Sequence, residues 1–375
     1  MNNEYTYWIA LTQLRNWRIQ KINELIIKII QEEKSSLDEF FNLNDKDYRN
    51  KFNLEEKEII SIEEIKKELP QFSFLVEDLL SQGYELITIN SPKYSPTLKE
   101  NLKIKHSPSV LYVKGNTQLL QENSIAIVGS READEISLKF TDNIAKIATK
   151  DFKVIVSGFA KGVDQQALVS TLKYIGQSII VLPQGIMTFN SGFNKYYQEI
   201  QRGDVLVLST FHPKAPWSVQ LAMARNPIIY GLAKEIFVAQ SSDSGGTWSG
   251  VLDGLKKEVK IYVRKPEPNE ANANNLLIEK GALAVDIDGN LLNQDPNIIS
   301  AESAQKSVDE ILKENIYNIL QNAELTSKEI LTHLKLNWSA QKLNSYLKNL
   351  DGILVLNNKP LKFTINGDNK QVALF

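Results

Sequence analysis

The chain has 375 residues, of which 42% are hydrophobic and 23% charged, a balance that supports two or three folded domains and excludes general disorder. Its 43 Lys and Arg residues nearly balance 45 Asp and Glu residues, so binding to nucleic acid would require a local concentration of positive charge. The absence of cysteine excludes disulfides, thiol nucleophiles and thiolate metal sites.

The same sequence gives no sign of a metal centre or a membrane span. Its three histidines, His106, His212 and His333, lie far apart, and none has the spacing of metal ligands. No apolar run approaches the roughly 18 residues that a spanning helix needs. The N-terminus lacks the basic start and apolar stretch of a secretory signal. These features predict a soluble, cytoplasmic protein without a metal site and without membrane contact.

Residues 1–84 have the pattern of a helical module. The segments YWIALTQL and INELIIKIIQEEK place apolar residues at helical spacing, and FSFLVEDLLSQG ends on Gly83, a residue that commonly terminates helices. The charged stretch between them, KDYRNKFNLEEKEIISIEEIKKELP, predicts solvated helix and turn.

Residues 85–286 change to alternating strands and helices. ELITI and SVLYVKG are two strand candidates, and short Ile- and Val-rich runs then alternate with amphipathic helices. Near-continuous hydrophobicity is typical of strands that are covered on both faces. The pattern predicts an α/β fold with an extended Rossmann-like, doubly wound and mostly parallel sheet. The later runs are SIAIVGS (124–130), KVIVSG (153–158), SIIVLP (178–183), DVLVLS (204–209), EIFVAQ (235–240) and VKIYV (259–263).

The rest of the chain predicts a linker over 287–306 and a winged-helix-like domain over 307–375. SVDEILKENIYNILQNA, TSKEILTHL and SAQKLNSYLKNL are helix candidates, and GILVLNN with PLKFTI has the pattern of a hairpin. SAQKLNSYLKNL would be the recognition helix. Residues 307–365 contain seven Lys against six Asp or Glu, a poor balance for a groove binder. A protein-contact or dimerising role is at least as well supported as DNA reading.

Small residues follow four of the predicted strands. Any one such loop is typical of a tight turn, but open parallel sheets bind ligands beyond the carboxyl ends of their strands. Glycines let a backbone approach an anion, and N–H groups at the start of a helix point towards it. Together the loops predict a phosphate-binding edge. The residues are Gly129, Ser130 and Arg131; Ser157, Gly158, Lys161 and Gly162; Gln184 and Gly185; and Ser244, Gly245, Gly246 and Thr247.

The motifs of several enzyme classes are missing. There is no GxxxxGK[ST] loop for ATP, no GxGxxG after the first buried strand and no nucleophile elbow. The acid nearest the predicted site, Asp164, is expected to cap or support a helix N-terminus rather than act as a general base. We therefore expect a binding protein with no catalytic residue and no cofactor.

Aromatic residues in or near the strand-end loops could stack on bases of a single strand. Phe159, between Gly158 and Lys161, is the strongest candidate. Most of the others are expected to pack loops onto the core; they are Phe189, Phe193, Tyr196, Tyr197, Phe211 and Trp217.

Five segments, in their order along the chain, resemble the DNA-processing protein A family (DprA, also called Smf). They are IAIVGSR, VIVSGFAKGVDQQAL, VLPQGI, ARNPIIYGLA and SSDSGGTW. The similarity covers roughly residues 85–285, and the spacing of IVGSR and SGxAxGxD is its most specific part. The helical flank and the winged-helix pattern match a family architecture as folds. The chain resembles a divergent member.

The resemblance implies a homodimer that binds single-stranded DNA and loads a RecA-type recombinase, without nucleotide hydrolysis, in natural transformation or recombination. Lys161 stands where the family prefers Arg, and Pro227 replaces the second Arg of its RNR motif. By position the family's DNA contacts fall on Gly129, Ser130, Arg131 and Lys161, on Arg225 and Asn226 at the start of RNR, and on Ser244, Gly245 and Thr247.

Two other functions remain open. SGGTW is similar to the PGGxGTxxE motif of the Lonely-guy phosphoribohydrolases, but Trp248 to Leu252 supply no glutamate, which disfavours hydrolysis. A nucleotide-binding sensor, acting for example in phage defence, is therefore the main alternative. A purely structural partner of other proteins is the third. Transformation, recombination and phage defence are all compatible with the sequence.

Overall fold

The computed structural model of this protein describes residues 3–292, 308–321, 323–336, 338–350, 352–356 and 360–365. The chain divides into two compact units. The first unit comprises Met1–Gln121, Ile180–Lys195 and Leu206–Ala233; the second comprises Glu122–Ile179, Tyr196–Val205 and Lys234–Phe375. The domain boundaries drawn from the sequence remain predictions.

The N-terminal segment is helical. Its longest helix continues through Pro70, the last residue of the charged stretch for which the sequence predicted solvated helix and turn. Buried residues on both sides of the proline, among them Ile62 and Leu75, anchor the helix and offset the lost hydrogen bond. Gly83 follows with φ of 73°, as expected of a terminating glycine. The helices are α1 (Asn3–Thr12), α2 (Ile19–Ile27), α3 (Leu37–Phe41), α4 (Asp45–Phe52) and α5 (Glu56–Ser81).

Strands and helices alternate from Glu85 to Val285. The elements in chain order are β1 (Glu85–Thr88), α6 (Pro96–Leu102), β2 (Val110–Gly115), β3 (Ser124–Val128), α7 (Glu135–Lys150), β4 (Val154–Ser157), α8 (Val163–Lys173), β5 (Ser178–Val181), α9 (Asn190–Lys195), α10 (Tyr197–Arg202), β6 (Val205–Ser209), α11 (Val219–Gly231), β7 (Glu235–Val238), α12 (Gly245–Lys256), β8 (Lys260–Arg264), α13 (Asn274–Glu279) and β9 (Leu283–Val285).

The sheet has the strand order β1-β2-β6-β5-β4-β3-β7-β8-β9. β3 pairs in parallel with β4 and β7, and β7, β8 and β9 continue in parallel. β2 runs antiparallel to both β1 and β6. Every residue of β3, β4, β5 and β6 is buried, as continuous apolar runs predict. The prediction of a doubly wound, mostly parallel α/β sheet is confirmed.

The core of the second unit fixes the strand ends that matter for function. Ile125 and Ile127 of β3 pack with Phe140 of α7 and with Val163 and Ala167 of α8. Burying large apolar side chains stabilises by about 1.5–3 kcal/mol each. The loops that leave β3 and β4 therefore start from a rigid base.

Helices and an antiparallel sheet form the C-terminal part, where the sequence predicted three helices and a hairpin. Its strands have the order β10-β12-β11, and Ile316, Leu343 and Phe363 lie in its core. The winged-helix assignment remains a prediction, and residues 293–306 of the predicted linker lie outside the described residues. The elements are α14 (Val308–Leu320), β10 (Leu325–Thr326), α15 (Ser327–Leu334), α16 (Ala340–Lys348), β11 (Ile353–Leu356) and β12 (Lys362–Ile365).

Across the described ranges, no helix has both the length and the apolar character needed to cross a bilayer.

Candidate functional site

The loops after β3 and β4 touch backbone to backbone in the second unit. A Cβ atom at Gly162 would lie 2.3 Å from the carbonyl oxygen of Ser130, and Gly162 itself has φ of 76°. A Cβ atom at Gly129 would lie 2.6 Å from Cγ2 of Val163. Both positions therefore require glycine for close approach, and Gly162 requires it for its backbone conformation as well.

Two exposed cations stand on these joined loops. Arg131 follows β3 and Lys161 follows β4, and among the described residues neither forms an ion pair. The hydroxyl of Ser130 accepts from the Glu132 N–H at 3.1 Å, which shapes the turn that carries Arg131. The two charges are accessible to an anion, and the phosphate site itself stays a prediction.

A third loop, after β7, lies beside the loop after β3. The carbonyl oxygen of Gln240 accepts from the Ser130 N–H at 2.9 Å, and its side-chain oxygen accepts from the Asp134 N–H at 3.0 Å. This third loop leads to Ser244, which precedes α12 in an extended conformation, and to Gly245 with φ of 84°. A Cβ atom at Gly245 would meet open space. The start of α12 is exposed at Ser244 and Gly245, and the Ser244 side chain does not cap it.

Buried polar side chains that the sequence analysis missed hold this third loop. Asn274 accepts from the Ser241 N–H at 2.9 Å and donates to the carbonyl oxygens of Ala239 and Arg264 at 3.0 and 2.8 Å. Arg264, 1% exposed, donates to the Ala239 carbonyl and forms an ion pair with Glu270. The Arg264 guanidinium holds the pKa of Glu270 below its usual value. No periodicity signal marks such a network, because each residue alone resembles a surface residue.

Three residues at or beyond the end of β4 differ in their availability. The Ser157 hydroxyl is buried and donates to the Ile127 carbonyl at 2.9 Å, so its side chain joins strands. Phe159 is half-buried with φ of 68°, and its ring meets Tyr196 edge to face at 5.8 Å. A bulky residue held in the left-handed region is a feature of functional loops. Asp164 is buried and accepts from the Ala160 N–H at 3.4 Å, the supporting role that the sequence predicted.

The remaining four predicted residues belong to the first unit. Gln184 donates to the carbonyl and hydroxyl oxygens of Thr188, both at 2.9 Å, which closes the loop after β5. A Cβ atom at Gly185 would lie 2.3 Å from the carbonyl oxygen of His212. Glycine is thus needed there for packing between loops of this unit.

Arg225 of α11 is buried rather than displayed at the surface. It is 4% exposed, and its Nη1 donates to the carbonyl oxygen of Val181 at 2.7 Å. In this conformation the guanidinium supports the end of β5. Asn226, next to it, is half-buried. A phosphate contact by either residue remains a prediction.

Comparison with known proteins adds evidence of ancestry. The family model described as DNA recombination-mediator protein A matches residues 85–294. DNA processing protein DprA of Streptococcus pneumoniae is 34% identical over 146 residues, which span 39% of this chain and 51% of that protein. DprA of Bacillus subtilis is 26% identical over 225 residues, spanning 59% of this chain and 75% of that protein.

The fold has a solved counterpart. The X-ray structure of the Streptococcus pneumoniae DprA superimposes with a TM-score of 0.61, covering 76% of this chain and 95% of that one at 23% identity. This likeness supports the fold. The chain thus spans about half of the first relative's length and nearly all of the residues in its structure.

Proposed function

This chain belongs to the DNA recombination-mediator protein A family, and on that premise we propose that it binds single-stranded DNA and passes it to a RecA-type recombinase. The observation that carries the proposal is the pair of exposed cations, Arg131 and Lys161, on two loops whose backbones contact each other. A fixed pair of charges suits successive phosphates of one strand.

Each part of the second-unit site has its own task. The planar guanidinium of Arg131 donates to two oxygens of one phosphate, and the ammonium of Lys161 attracts the next phosphate by its charge. The backbone of Gly245, Gly246 and Thr247 at the start of α12 receives a third phosphate. Phe159 stacks on a base, a contact that tolerates any sequence. Gln184, Gly185 and Arg225 of the first unit support the ends of strands, and Ser157 supports β4.

The protein acts by binding rather than by catalysis. Asp164, the acid nearest the loops, is engaged in supporting the backbone, and the proposed contacts need only charge, hydrogen bonding and stacking. The working form is a homodimer, as the family resemblance implies. The single-stranded DNA that it binds is used in recombination, including the recombination of strands taken up in natural transformation.

The test is fluorescence anisotropy of the full chain with a labelled oligothymidine, repeated over a salt series and against duplex competitor. We expect tight binding that weakens with salt, a strong loss with Arg131→Ala, and no change with Lys139→Ala, an exposed lysine of α7. Unchanged affinity for the Arg131 variant would sink the proposal. Recombinase assembly on a coated strand, with and without this protein, tests the second step.

A further inference from the structure

A second basic region lies in the second unit, at the opposite ends of α7 and α8 from the strand-end loops. α7 starts beside the loop after β3 and ends at Lys150, and α8 starts at Val163 and ends at Lys173. The last turns of both helices line a cleft of about 520 Å³ together with α14 and α16. Small-molecule sites have volumes of roughly 300–1,000 Å³. The cleft is therefore large enough for an organic ligand.

Positive charge converges on this cleft. No carboxylate stands among its described lining residues. Lys150 and Lys173 lie in the last turns of their helices, where a cation is favourable in any protein. Lys173 is also paired with Asp142, a residue outside the lining, at 3.4 Å, so the unpaired charge comes mainly from the other lysines. Lys146 lies one turn before Lys150, and like charges at this spacing destabilise a helix. The lysines of the lining are Lys146, Lys150, Lys173, Lys313 and Lys342.

Lys342 differs from the others because it is buried. It is 5% exposed, its ammonium donates to Oε1 of Gln177 at 3.1 Å, and it lies 4.4 Å from the ring centroid of Trp338. Burial lowers the pKa of Lys342 to about 8, against the opposite effect of Asp204 and Glu122. A buried ammonium is costly unless nearby anions offset its lost hydration, and the lowered pKa of Lys342 means that Asp204 and Glu122 offset it only in part. An anion in the cleft would add to their effect.

Aromatic rings line the same cleft. Phe152, Tyr174 and Tyr346 are among the lining residues, and the Phe152 and Tyr346 rings meet edge to face at 5.1 Å. Lysine ammonium groups suit phosphate, and aromatic rings suit the flat face of a base. Inorganic phosphate alone would leave the rings unused.

We propose that this cleft binds a nucleotide, with its phosphates on the lysines and its base on the aromatic rings. The ligand would be either a free nucleoside triphosphate or the end of a DNA strand, which share this chemistry. Its residues are entirely different from those of the strand-end site. A bound nucleotide would contact α7, α8, α14 and α16 together, so occupancy would tie the C-terminal helices to the sheet.

Calorimetric titration of the full chain with ATP, with inorganic tripolyphosphate and with a short oligothymidine tests the proposal. The double variant Lys146→Glu/Lys150→Glu should weaken binding at the cleft at least about tenfold. The control Lys139→Glu/Lys256→Glu changes the same charge at exposed positions of α7 and α12 outside the cleft, and should bind as the wild type does. Tripolyphosphate should bind more weakly than ATP, because it has no base.

The oligothymidine titration is repeated in an Arg131→Ala background, which removes the proposed strand-end site. If the double variant Lys146→Glu/Lys150→Glu weakens ATP binding, the ligand of the cleft is a free nucleotide. If it weakens only oligothymidine binding in the Arg131→Ala background, the ligand is the end of a DNA strand. The proposal is overturned if none of the three ligands binds, or if the double variant Lys146→Glu/Lys150→Glu leaves their binding unchanged. Lys313→Gln provides a milder variant, and melting curves confirm that each variant is folded. Loss of DNA binding in the Arg131 variant alone tests only the strand-end site, so the two proposals fail separately.

Discussion

The Val163 N–H donates to the carbonyl oxygen of Ser130 at 3.2 Å, which joins the start of α8 directly to the loop after β3. Main-chain contact rather than side-chain contact thus sets the spacing between the cations at Arg131 and Lys161. A spacing fixed before binding reduces the entropy that the protein loses when it takes up a ligand.

Gly162→Ala should separate the two joined loops. The new methyl group would meet the Ser130 carbonyl at 2.3 Å, in addition to the roughly 1–2 kcal/mol cost of a left-handed non-glycine residue. We expect both lower stability in urea unfolding and weaker binding of oligothymidine by anisotropy.

Gly83→Ala is the matched control for this glycine. Gly83 has nearly the same φ, 73°, but nothing lies within 4 Å of its Cβ position. This variant should lose stability from backbone strain alone and retain full DNA affinity. Equal DNA affinity for the two variants would contradict the role of the joined loops.

The charge at Lys161 should appear in the salt dependence of binding. Binding weakens with salt, so the slope of log K against log salt is negative. Lys161→Ala should make this slope less steep by about 0.7, the value for one phosphate contact on a single strand. Lys161→Arg should keep the slope and raise affinity several-fold, because guanidinium adds a planar fork. Lys139→Ala and Lys139→Arg are the controls. A salt slope that stays the same in Lys161→Ala would refute the phosphate contact of Lys161.

The ion pair beneath the α12 loop should make the protein sensitive to acid. The Arg264 guanidinium lowers the pKa of Glu270 in the folded state. The ion pair therefore stabilises the protein fully above the pKa that Glu270 has in the unfolded chain, about 4.3. This stabilisation is lost as pH falls through the lower pKa that Glu270 has in the folded protein. Glu270→Ala should cost about 3–5 kcal/mol at pH 7, because it leaves a buried guanidinium unpaired.

Urea unfolding between pH 7 and pH 3 checks this prediction. Glu270→Gln should flatten the acid limb of the stability curve, whereas Glu267→Gln, at an exposed neighbour, should leave it intact. An identical pH dependence in the wild type and the Glu270 variant would show that the pair contributes nothing.

The buried lysine of α16 should make stability rise with pH as well, but in the alkaline range. Lys342 has a folded pKa of about 8, below its usual 10.5, so the unfolded chain binds more protons between these values. The free energy of unfolding should then rise with pH from about 8 to about 10.5, by about 3 kcal/mol in total. Lys342→Met should remove this rise and stabilise the protein at pH 7. Lys348→Met, on the exposed side of the same helix, should keep the rise; its loss there would refute the assignment to Lys342.

Apolar pattern and loop glycines predicted much of this fold. Continuous apolar runs identified β3 to β8. β3 to β6 are buried throughout, as strands covered on both faces should be, whereas β7 and β8 also contain partly exposed residues. Gly129 and Gly162 were expected to let the backbone approach an anion, which stays a prediction; the structure shows that they let neighbouring loops of the protein come close. Asp164 was expected to cap or support a helix start, and it accepts from the Ala160 N–H just before α8. Exposure of Arg131 and Lys161 agrees with their predicted place on strand-end loops.

Burial of charged residues could not be predicted. Arg225 matches a DNA-binding motif by position, yet its guanidinium reaches the Val181 carbonyl, 44 residues earlier in the chain. Lys342 finds Gln177 across 165 residues. Partners so distant leave no local pattern, and only the folded chain shows that these cations face inward.

The outermost strands of the sheet are both short. β1 has four residues and β9 has three, and a turn closes over β9 through the bridge between Val285 and Leu291. A long free margin would offer its unpaired N–H and C=O groups to another molecule and invite fibrous assembly. Here the sheet ends where there is little backbone left to extend, so a protein with a large, apolar sheet is protected against polymerising through its own margins.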